Sequence, residues 1–384
     1  MPVLDILKAT RPRKMLALDG GGIRALLSIE VLARIERLAR EAHGNPRLVL
    51  ADCFDYFAGT STGAIIATLL AIGTAVDDIR DLYVRIGPLM FSHARLSERL
   101  RFRYDDEPLA RMLKQYLGAD TTLGDERVKT LLLLILRDAT TDSPWPISNN
   151  PGALFNQPDS PTCNLRFPLW QLVRASTAAP LYFPPEVIQV GGHAHIFVDG
   201  GLTPFANPAF QLFLMATVDR YNLGWPGGED TMLLVSLGTG STSGARADLH
   251  PREMNLLYQA GAIPHALLSA ATIEQDMLCR IFGRCRVGDA IDSEIGDLVG
   301  SRGPLERKLF TYLRYDIELS RPALDALGLR HIQPSTFAHL DSIAGVPELQ
   351  EVGRALATKV AGAHFAGFFP EPPGTTIPNL PAPP

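Results

Sequence analysis

The stretch KMLALDGGGIRALLSIEVLARIERLAREA, residues 14–42, joins a short apolar run to three glycines and a long amphipathic segment. Leu27, Val31, Ile35 and Leu38 recur at helical spacing, which predicts a helix with one buried face after the glycines. A strand, a tight turn and a helix in succession form the repeating unit of α/β sheets. This stretch therefore predicts an α/β fold.

The same design recurs further along the chain. Residues 53–73, CFDYFAGTSTGAIIATLLAIG, again place an apolar run before a turn of small residues and an apolar helix. Nearly continuous apolar runs, as strands covered on both faces require, occur at residues 130–136, 195–201 and 232–240. Helical segments lie between them, so we expect a mainly parallel central sheet flanked by helices.

Composition bounds the kinds of protein that this chain can be. It has 384 residues, of which 46% are hydrophobic and 20% charged, with a formal net charge of −5. A chain of this length and composition can bury a large core. The absence of a general basic excess argues against nucleic acid as a partner.

Cysteine spacing and hydropathy give further expectations. The four cysteines form no C-x-x-C and no Cys/His cluster with zinc spacing, so we predict neither a metal nor a cofactor. The N-terminus has no apolar core of a signal peptide, and the longest apolar runs are too short to span a bilayer. These features predict a cytoplasmic protein.

The sequence GTSTG, centred on Ser61, has the pattern of a nucleophile elbow. Gly59 and Gly63 lie two residues before and after the serine, where larger side chains would clash in a sharp strand-to-helix turn. The following helix would point its free N–H groups at the serine. A serine hydroxyl needs a base to become a useful nucleophile, so a general base is expected nearby.

The glycine run Gly20, Gly21, Gly22 is predicted to expose backbone N–H groups at the start of a helix. Such a loop can bind a phosphate or the oxyanion of a tetrahedral acyl intermediate. The dinucleotide fingerprint fits incompletely, because Ala25 stands in its last place and no acidic residue ends a second strand. A glycine loop together with a serine elbow favours the oxyanion hole. A nucleotide-binding module remains the alternative from another class of protein.

Two residues compete for the role of base. His250 stands after the last predicted strand, where a conventional Ser–acid–His hydrolase would place its histidine. Asp199 ends an apolar strand and precedes two glycines, and open α/β sheets place their sites at the carboxyl ends of strands. An Asp-Gly pair is also a common turn, so this position alone does not decide between the two.

The ordered motifs DGGGIR, GTSTG and DGG resemble the patatin-like phospholipase family, as do RASTAAPLYFPP (174–185) and VSLGTG (235–240). The resemblance implies a three-layer fold and a lipid acyl hydrolase with a Ser61–Asp199 dyad. It further implies an oxyanion hole formed by the Gly20–Gly22 loop with Arg24 beside it, and lipid as the partner. A histidine-assisted esterase that uses His250 remains the alternative among enzymes.

The remaining regions give coarser predictions. Residues 12–240 are expected to form the catalytic domain, 241–369 a mostly helical elaboration packed on it, and 370–384 an extended, partly disordered tail. Residues 140–168, rich in Pro, Asn and Ser, are predicted to be a loop near the carboxyl edge of the sheet. In residues 90–109, four basic side chains interleave with apolar ones and could contact an anionic lipid surface, although an ordinary cover helix has the same pattern. These are Arg95, Arg99, Arg101 and Arg103.

Overall fold

The computed structural model shows an α/β protein built around one sheet. The residues that it describes are 2–90, 103–242, 250, 252, 255–337, 341 and 343–371. The strands are β1 (Arg13–Leu18), β2 (Tyr56–Thr60), β3 (Leu131–Asp138), β4 (Ser143–Ser148), β5 (Glu186–Val190), β6 (His193–Asp199), β7 (Met232–Leu237), β8 (Arg284–Val287) and β9 (Thr311–Tyr315). The helices are α1 (Pro2–Lys8), α2 (Ala25–His43), α3 (Thr62–Ala71), α4 (Val76–Met90), α5 (Glu107–Leu117), α6 (Leu169–Ser176), α7 (Ala209–Thr217), α8 (Leu256–Phe282), α9 (Arg321–Ala326) and α10 (Val346–Ala357).

Among the described residues, nine strands form the sheet in the order β5-β6-β3-β2-β1-β7-β9-β8, with β4 paired to β3 outside this path. The pairs from β3 through β2, β1, β7 and β9 to β8 are all parallel. Antiparallel pairing is confined to β3–β4, β3–β6 and β5–β6. The prediction of a mainly parallel sheet flanked by helices is therefore confirmed.

Strand β3 brings two distant segments together. Its residues 133–138 pair with β4, so β2 and β6 must share the opposite edge, β2 along residues 131–135 and β6 along 136–138. Thr60 is the partner of Ile135, and Asp199 is the partner of Leu136. Because adjacent residues of one strand hold them, the end of β2 and the end of β6 meet.

The sheet separates two hydrophobic clusters, which gives the three layers. On β1, Leu16 and Leu18 belong to the cluster that includes α2, α3 and α10, whereas Met15 and Ala17 belong to the one that includes α7. All four side chains are essentially inaccessible to solvent. Alternating side chains of one strand thus enter both clusters, as expected for a sheet covered on both faces.

The chain beyond residue 240 takes part in the central sheet. Strand β9 pairs in parallel with β7, and β8 pairs with β9, while the buried side of α10 packs on α2. This region therefore contributes two strands as well as helices. The domain boundary at residue 240 stays a prediction. Most of the predicted tail lies outside the described residues, which end at Glu371.

Residues 140–168 differ from the expected loop at the carboxyl edge. Strand β4 runs antiparallel to β3, and Pro144 and Pro146 are tolerated because β4 pairs with β3 alone among the described strands. The segment that follows lies at the opposite, amino edge of the sheet: Leu132 N donates to Asn149 Oδ1 at 2.7 Å. The proline and serine content predicts an irregular segment, but it does not indicate at which edge of the sheet that segment lies.

The structure contains no helix, within its described residues, that combines the length and apolar character needed to cross a bilayer.

Candidate active site

Ser61 lies between the end of β2 and the first residue of α3 in a strained backbone conformation. Its φ of 54° and ψ of −126° are unusual for a residue with a side chain. Holding such a conformation costs on the order of 1–3 kcal/mol, and the surrounding structure must enforce it. Here Ser61 N donates to Ser176 Oγ at 3.0 Å, and Ser176 Oγ donates to Ile135 O at 2.6 Å. The nucleophile elbow predicted from GTSTG is therefore present as a geometry.

The two flanking glycines are required by close backbone approaches. A Cβ on Gly59 would lie 2.2 Å from the carbonyl oxygen of Gly63, and a Cβ on Gly63 would lie 2.4 Å from that of Leu18. Both are impossible contacts with backbone, which cannot move aside. The glycines thus allow α3 to begin directly against β1 and β2, with Ser61 at the turn.

Asp199 meets Ser61 at the carboxyl edge of the sheet. Ser61 Oγ donates to Asp199 Oδ2 at 2.6 Å, and Gly201 N donates to Asp199 Oδ1 at 2.7 Å. The Asp199 backbone is fixed by its own N–H, which donates to Ala178 O at 3.0 Å. Oδ2 therefore faces the Ser61 hydroxyl while Oδ1 accepts the hydrogen bond from Gly201 N, and the two bonds fix the orientation of the carboxylate.

Burial raises the pKa of Asp199 to about 6. The hydrogen bonds from Ser61 and Gly201 and the positive charge of Arg174 oppose this rise. Arg174 is itself completely buried and bonds Pro184 O at 2.9 Å and Asp106 at 3.2 Å. A carboxylate with a pKa near 6 is a stronger base than an ordinary aspartate and is still ionised at neutral pH.

The glycine loop lies directly beside the serine. A Cβ on Gly20 would touch Ser61 Cβ at 3.1 Å, and one on Gly21 would lie 2.0 Å from Thr239 Oγ1. Gly20 N donates to Ala206 O at 3.2 Å and Gly21 N to Thr62 Oγ1 at 3.3 Å, so both amides already have partners. Within the described residues, the N–H groups of Gly22 and Thr62 make no such hydrogen bond outside their helices.

Arg24 follows this loop and is half-buried. Burial lowers the pKa of its guanidinium to about 10, which the charge of Asp316 opposes, so it is positively charged at neutral pH. Its Nη1 makes a long contact of 3.5 Å with Thr242 Oγ1. Its Nε is buried and has no hydrogen-bond partner in the described part of the chain. Arg24 therefore keeps bonding capacity beside the site.

The structure brings together Ser61, Asp199 and the loop formed by Gly20, Gly21 and Gly22. His250 is exposed, and the partner of Ser61 Oγ within the described residues is a carboxylate and not an imidazole. Of the predicted basic segment, Arg95, Arg99 and Arg101 lie outside the described residues. Arg103 is described: it pairs with Asp341 at 2.8 Å and lies over the ring of Tyr182.

Several residues of the site had no interpretation from the sequence. Ser176 fixes the serine backbone, Arg174 supplies charge near Asp199, and Thr239 donates to Gly20 O at 3.0 Å. Ser176 and Arg174 lie in RASTAAPLYFPP, a segment whose resemblance to the family implies no chemical role for either residue. The Thr62 N–H could have been inferred, since the residue after an elbow nucleophile commonly supplies an oxyanion donor.

The structure thus places an elbow serine, hydrogen-bonded to an aspartate, at the carboxyl edge of an α/β sheet. The family model "Patatin-like phospholipase" matches residues 16–213, which include Ser61, Asp199 and the glycine loop. The chain belongs to the patatin-like phospholipase family.

Curated relatives agree with this assignment. A cGAMP-activated phospholipase of Vibrio cholerae serotype O1 is 30% identical over 211 residues, 51% of this chain and 56% of its own length. Patatin-17 of Solanum cardiophyllum is 29% identical over 253 residues, 60% of this chain and 61% of its own length. This chain thus spans somewhat more than half the length of these relatives. The solved structure of VipD from Legionella pneumophila aligns with 89% of this chain and 67% of its own at 12% identity and a TM-score of 0.38.

Proposed function

We propose that this protein hydrolyses carboxylic esters of lipids, with Ser61 as nucleophile and Asp199 as general base. The observation that carries the proposal is the 2.6 Å hydrogen bond between Ser61 Oγ and Asp199 Oδ2. That distance is within the range for direct proton transfer, and the elbow aims the hydroxyl away from the backbone. The names of the relatives, which are phospholipases and patatins, support lipid as the substrate.

The proposed reaction has two halves. In the first, Ser61 Oγ attacks the ester carbonyl carbon while its proton passes to Asp199. Collapse of the tetrahedral intermediate breaks the carbon–oxygen bond, and the leaving alkoxide takes the proton from Asp199, which leaves an acyl group on the serine. In the second half, water gives a proton to Asp199 and attacks the acyl carbon, and the protonated Asp199 returns the proton to Ser61 as the acid leaves.

The oxyanion needs more support here than in a histidine-assisted enzyme, because a carboxylate is a weaker base than imidazole. The free N–H groups of Gly22 and Thr62 lie on the two loops that meet at Ser61. The N-terminus of α3 and the charge of Arg24 add positive potential. Loss of one oxyanion donor costs about 10²–10³-fold in kcat in other enzymes.

We further propose that Leu181 contacts the lipid surface. It is 79% exposed and has a left-handed φ of 71°, an unusual combination for a leucine. It lies three residues from Ala178, the backbone partner of Asp199, and Arg103 N donates to its carbonyl oxygen at 3.0 Å. This side chain is apolar and exposed, and its backbone is held close to the base. We therefore expect it to insert into the acyl region of a membrane.

Labelling and product analysis test the proposed chemistry. A fluorophosphonate probe should label Ser61, and Ser61→Ala should abolish both the labelling and the release of fatty acid from a panel of phospholipids, lysophospholipids and neutral lipids, read by mass spectrometry. Two relatives are named as cGAMP-activated, so each assay is run with and without cGAMP. A folded, unlabelled chain that releases no fatty acid in any assay would refute the proposal.

A pair of leucine variants tests the lipid contact. Leu181→Ser should lower activity on phospholipid vesicles while hydrolysis of a soluble short-chain ester is retained. Leu154→Ser is the matched control, because Leu154 is 70% exposed but lies in the segment after β4, at the amino edge of the sheet. Equal losses on vesicles for both variants, or no loss for Leu181→Ser, would contradict the contact.

A further inference from the structure

A buried cluster of charges lies on the opposite side of the glycine loop from Asp199. Arg314 of β9 donates to both oxygens of Asp19, with Nη1 3.1 Å from Oδ1 and Nη2 2.7 Å from Oδ2. Its Nη2 also lies 2.6 Å from Asp316 Oδ2, and its Nη1 bonds Ser236 Oγ at 2.7 Å. Arg314 is 3% exposed. The cluster therefore joins the carboxyl ends of β1, β7 and β9.

Burial of this ion pair is a poor way to gain stability. Removing charged groups from water costs several kcal/mol for each ion, and well-packed apolar residues often replace such pairs without loss. Burial alone would lower the pKa of Arg314, but Asp19 and Asp316 outweigh it and raise that pKa well above the usual range. Arg314 therefore stays positively charged, and its guanidinium forms hydrogen bonds in fixed directions. The residues that accept these bonds indicate which segments Arg314 positions.

Both carboxylates that Arg314 binds belong to segments that hold the glycine loop. Asp19 immediately precedes Gly20, and its own N–H donates to Leu237 O at 3.0 Å. Asp316 Oδ1 accepts from Gly240 N at 3.0 Å, which fixes the turn that contains Thr239.

The turn that contains Thr239 holds the glycine loop from the other side. Thr239 Oγ1 donates to Gly20 O at 3.0 Å and fills the space above Gly21. The loop is thus held from its first residue by Asp19 and from across the sheet by Thr239, and Arg314 joins the two supports.

We propose that Arg314 is a positioning residue for the oxyanion loop: its guanidinium fixes Asp19 and the 238–240 turn so that Gly22 N–H faces the acyl group on Ser61. The inference rests on the proposed function and extends it to a residue far outside the segment matched by the family model. It also gives β9 a part in catalysis. A displacement of the loop by about 1 Å is enough to cost on the order of 10²-fold in rate.

Arg314→Lys tests the proposal, because lysine keeps the charge but cannot form the bidentate bond to Asp19 while also binding Asp316. Arg280→Met is the matched control. Arg280 is 4% exposed and binds Asp276 with Nε at 3.0 Å and Nη2 at 2.6 Å, and its Nη1 donates to Asp289 O and Asp297 O, all away from the glycine loop. Arg314→Met is the second variant at the test position.

The readouts are the second-order rate of Ser61 labelling by a fluorophosphonate, kcat and KM per labelled site on a soluble ester, and the melting temperature. We expect Arg314→Lys to lower the labelling rate and kcat by about 10- to 100-fold with KM within twofold of wild type. Arg280→Met should lower the melting temperature at least as much, yet label at the wild-type rate. Arg314→Met should label as slowly as Arg314→Lys, or more slowly.

Two outcomes would overturn the inference. One is labelling of Arg314→Lys at the wild-type rate; the other is an equal loss of rate in Arg280→Met, which would show a general effect of destabilisation. Failure of the proposed function looks different, because Ser61 would then stay unlabelled in the wild-type protein itself.

Discussion

Two buried aspartates end strands on either side of the glycine loop, and they differ in their partners. Asp199 and Asp19 are each 5% exposed. Asp199 faces the hydroxyl of Ser61 and one backbone amide, whereas Asp19 is held by two nitrogens of Arg314. A hydroxyl has a proton that a carboxylate can take, but a guanidinium retains its protons at all pH values of interest. The partner, and not the burial or the strand end, therefore decides which aspartate can act as a base.

The largest expected effect is on the reactive side of this comparison. Asp199→Asn should lower kcat by about 10⁴-fold, because the amide keeps the shape but cannot accept the proton. His250→Ala is the control for the alternative base and should retain the wild-type rate. Steady-state hydrolysis of a soluble ester measures both. Full activity of Asp199→Asn together with an inactive His250→Ala would assign the base to the histidine.

The next effect tests the support of the loop. Gly21→Ala should lower kcat by about 10²–10³-fold, because its Cβ would lie 2.0 Å from Thr239 Oγ1 and push the loop away from Ser61. Thr239→Gly in the same chain removes the colliding side chain and should recover part of the lost rate. If the double variant is no faster than Gly21→Ala while Thr239→Gly alone keeps the wild-type rate, the contact with Thr239 is not the cause of the loss.

The pH dependence should report the ionisation of the proposed base. Since the pKa of Asp199 is raised to about 6 by burial, kcat/KM should rise through about pH 6 and then level off. The charge of Arg174 lowers this pKa, so Arg174→Met should move the rise to higher pH. Asp106→Asn, which removes the half-buried ionic partner of Arg174 but keeps the charge of Arg174, is the control. An unchanged pH dependence of kcat/KM in Arg174→Met would contradict this electrostatic role of Arg174.

The smallest effect is on stability, and it has opposite signs for the two aspartates. Asp199 in the folded chain has a pKa above its usual 3.8, so its ionised form costs folding free energy as the pH rises from about 4 through 6. Asp199→Asn should therefore raise the melting temperature by about 1–3 °C at pH 8, with the gain absent at pH 4. Asp19→Asn should lower it by about 5–10 °C at pH 8, where Asp19 is ionised although burial raises its pKa to about 7, because a buried guanidinium loses a carboxylate and meets an amide N–H₂. Differential scanning fluorimetry at pH 8 measures both changes. A change of melting temperature in the same direction for both variants would contradict the proposed difference between Asp199 and Asp19.

The sequence predicted the sheet and the turns that meet at Ser61, for physical reasons, whereas the catalytic roles of Ser61 and Asp199 stay a prediction. The turns around Ser61 and Gly20–Gly22 need glycines at fixed spacing, and strands buried on both faces appear as apolar runs. Asp199 followed from its place at the end of such a run. What remained open between Asp199 and His250 was which side chain reaches Ser61, and this depends on β6 joining β3 beyond the end of β2.

The supporting side was not predicted, because its signals are weak or distant. Arg314 lies in TYLRY, where a charged residue in a short run does not suggest a strand buried on both sides, and its partner Asp19 is 295 positions away. The Pro, Asn and Ser content around β4 predicts a loop, but the position of β4 beside β3 tolerates its two prolines. In both cases the missing information was the pairing of strands, which no local pattern contains.

Thr60 and Asp199 pair with neighbouring residues of β3, and this pairing limits where the chain can accept insertions and deletions. Ser61 and Asp199 are separated by 138 positions, yet the spacing between them is set by one peptide unit, from Ile135 to Leu136. Apart from α6, which carries Arg174 and Ser176, helices and loops within the long intervening chain can therefore lengthen, shorten or be exchanged between homologues without changing the spacing of Ser61 and Asp199. A single residue inserted into β3 at that peptide would instead separate the two groups, however conservative the inserted side chain.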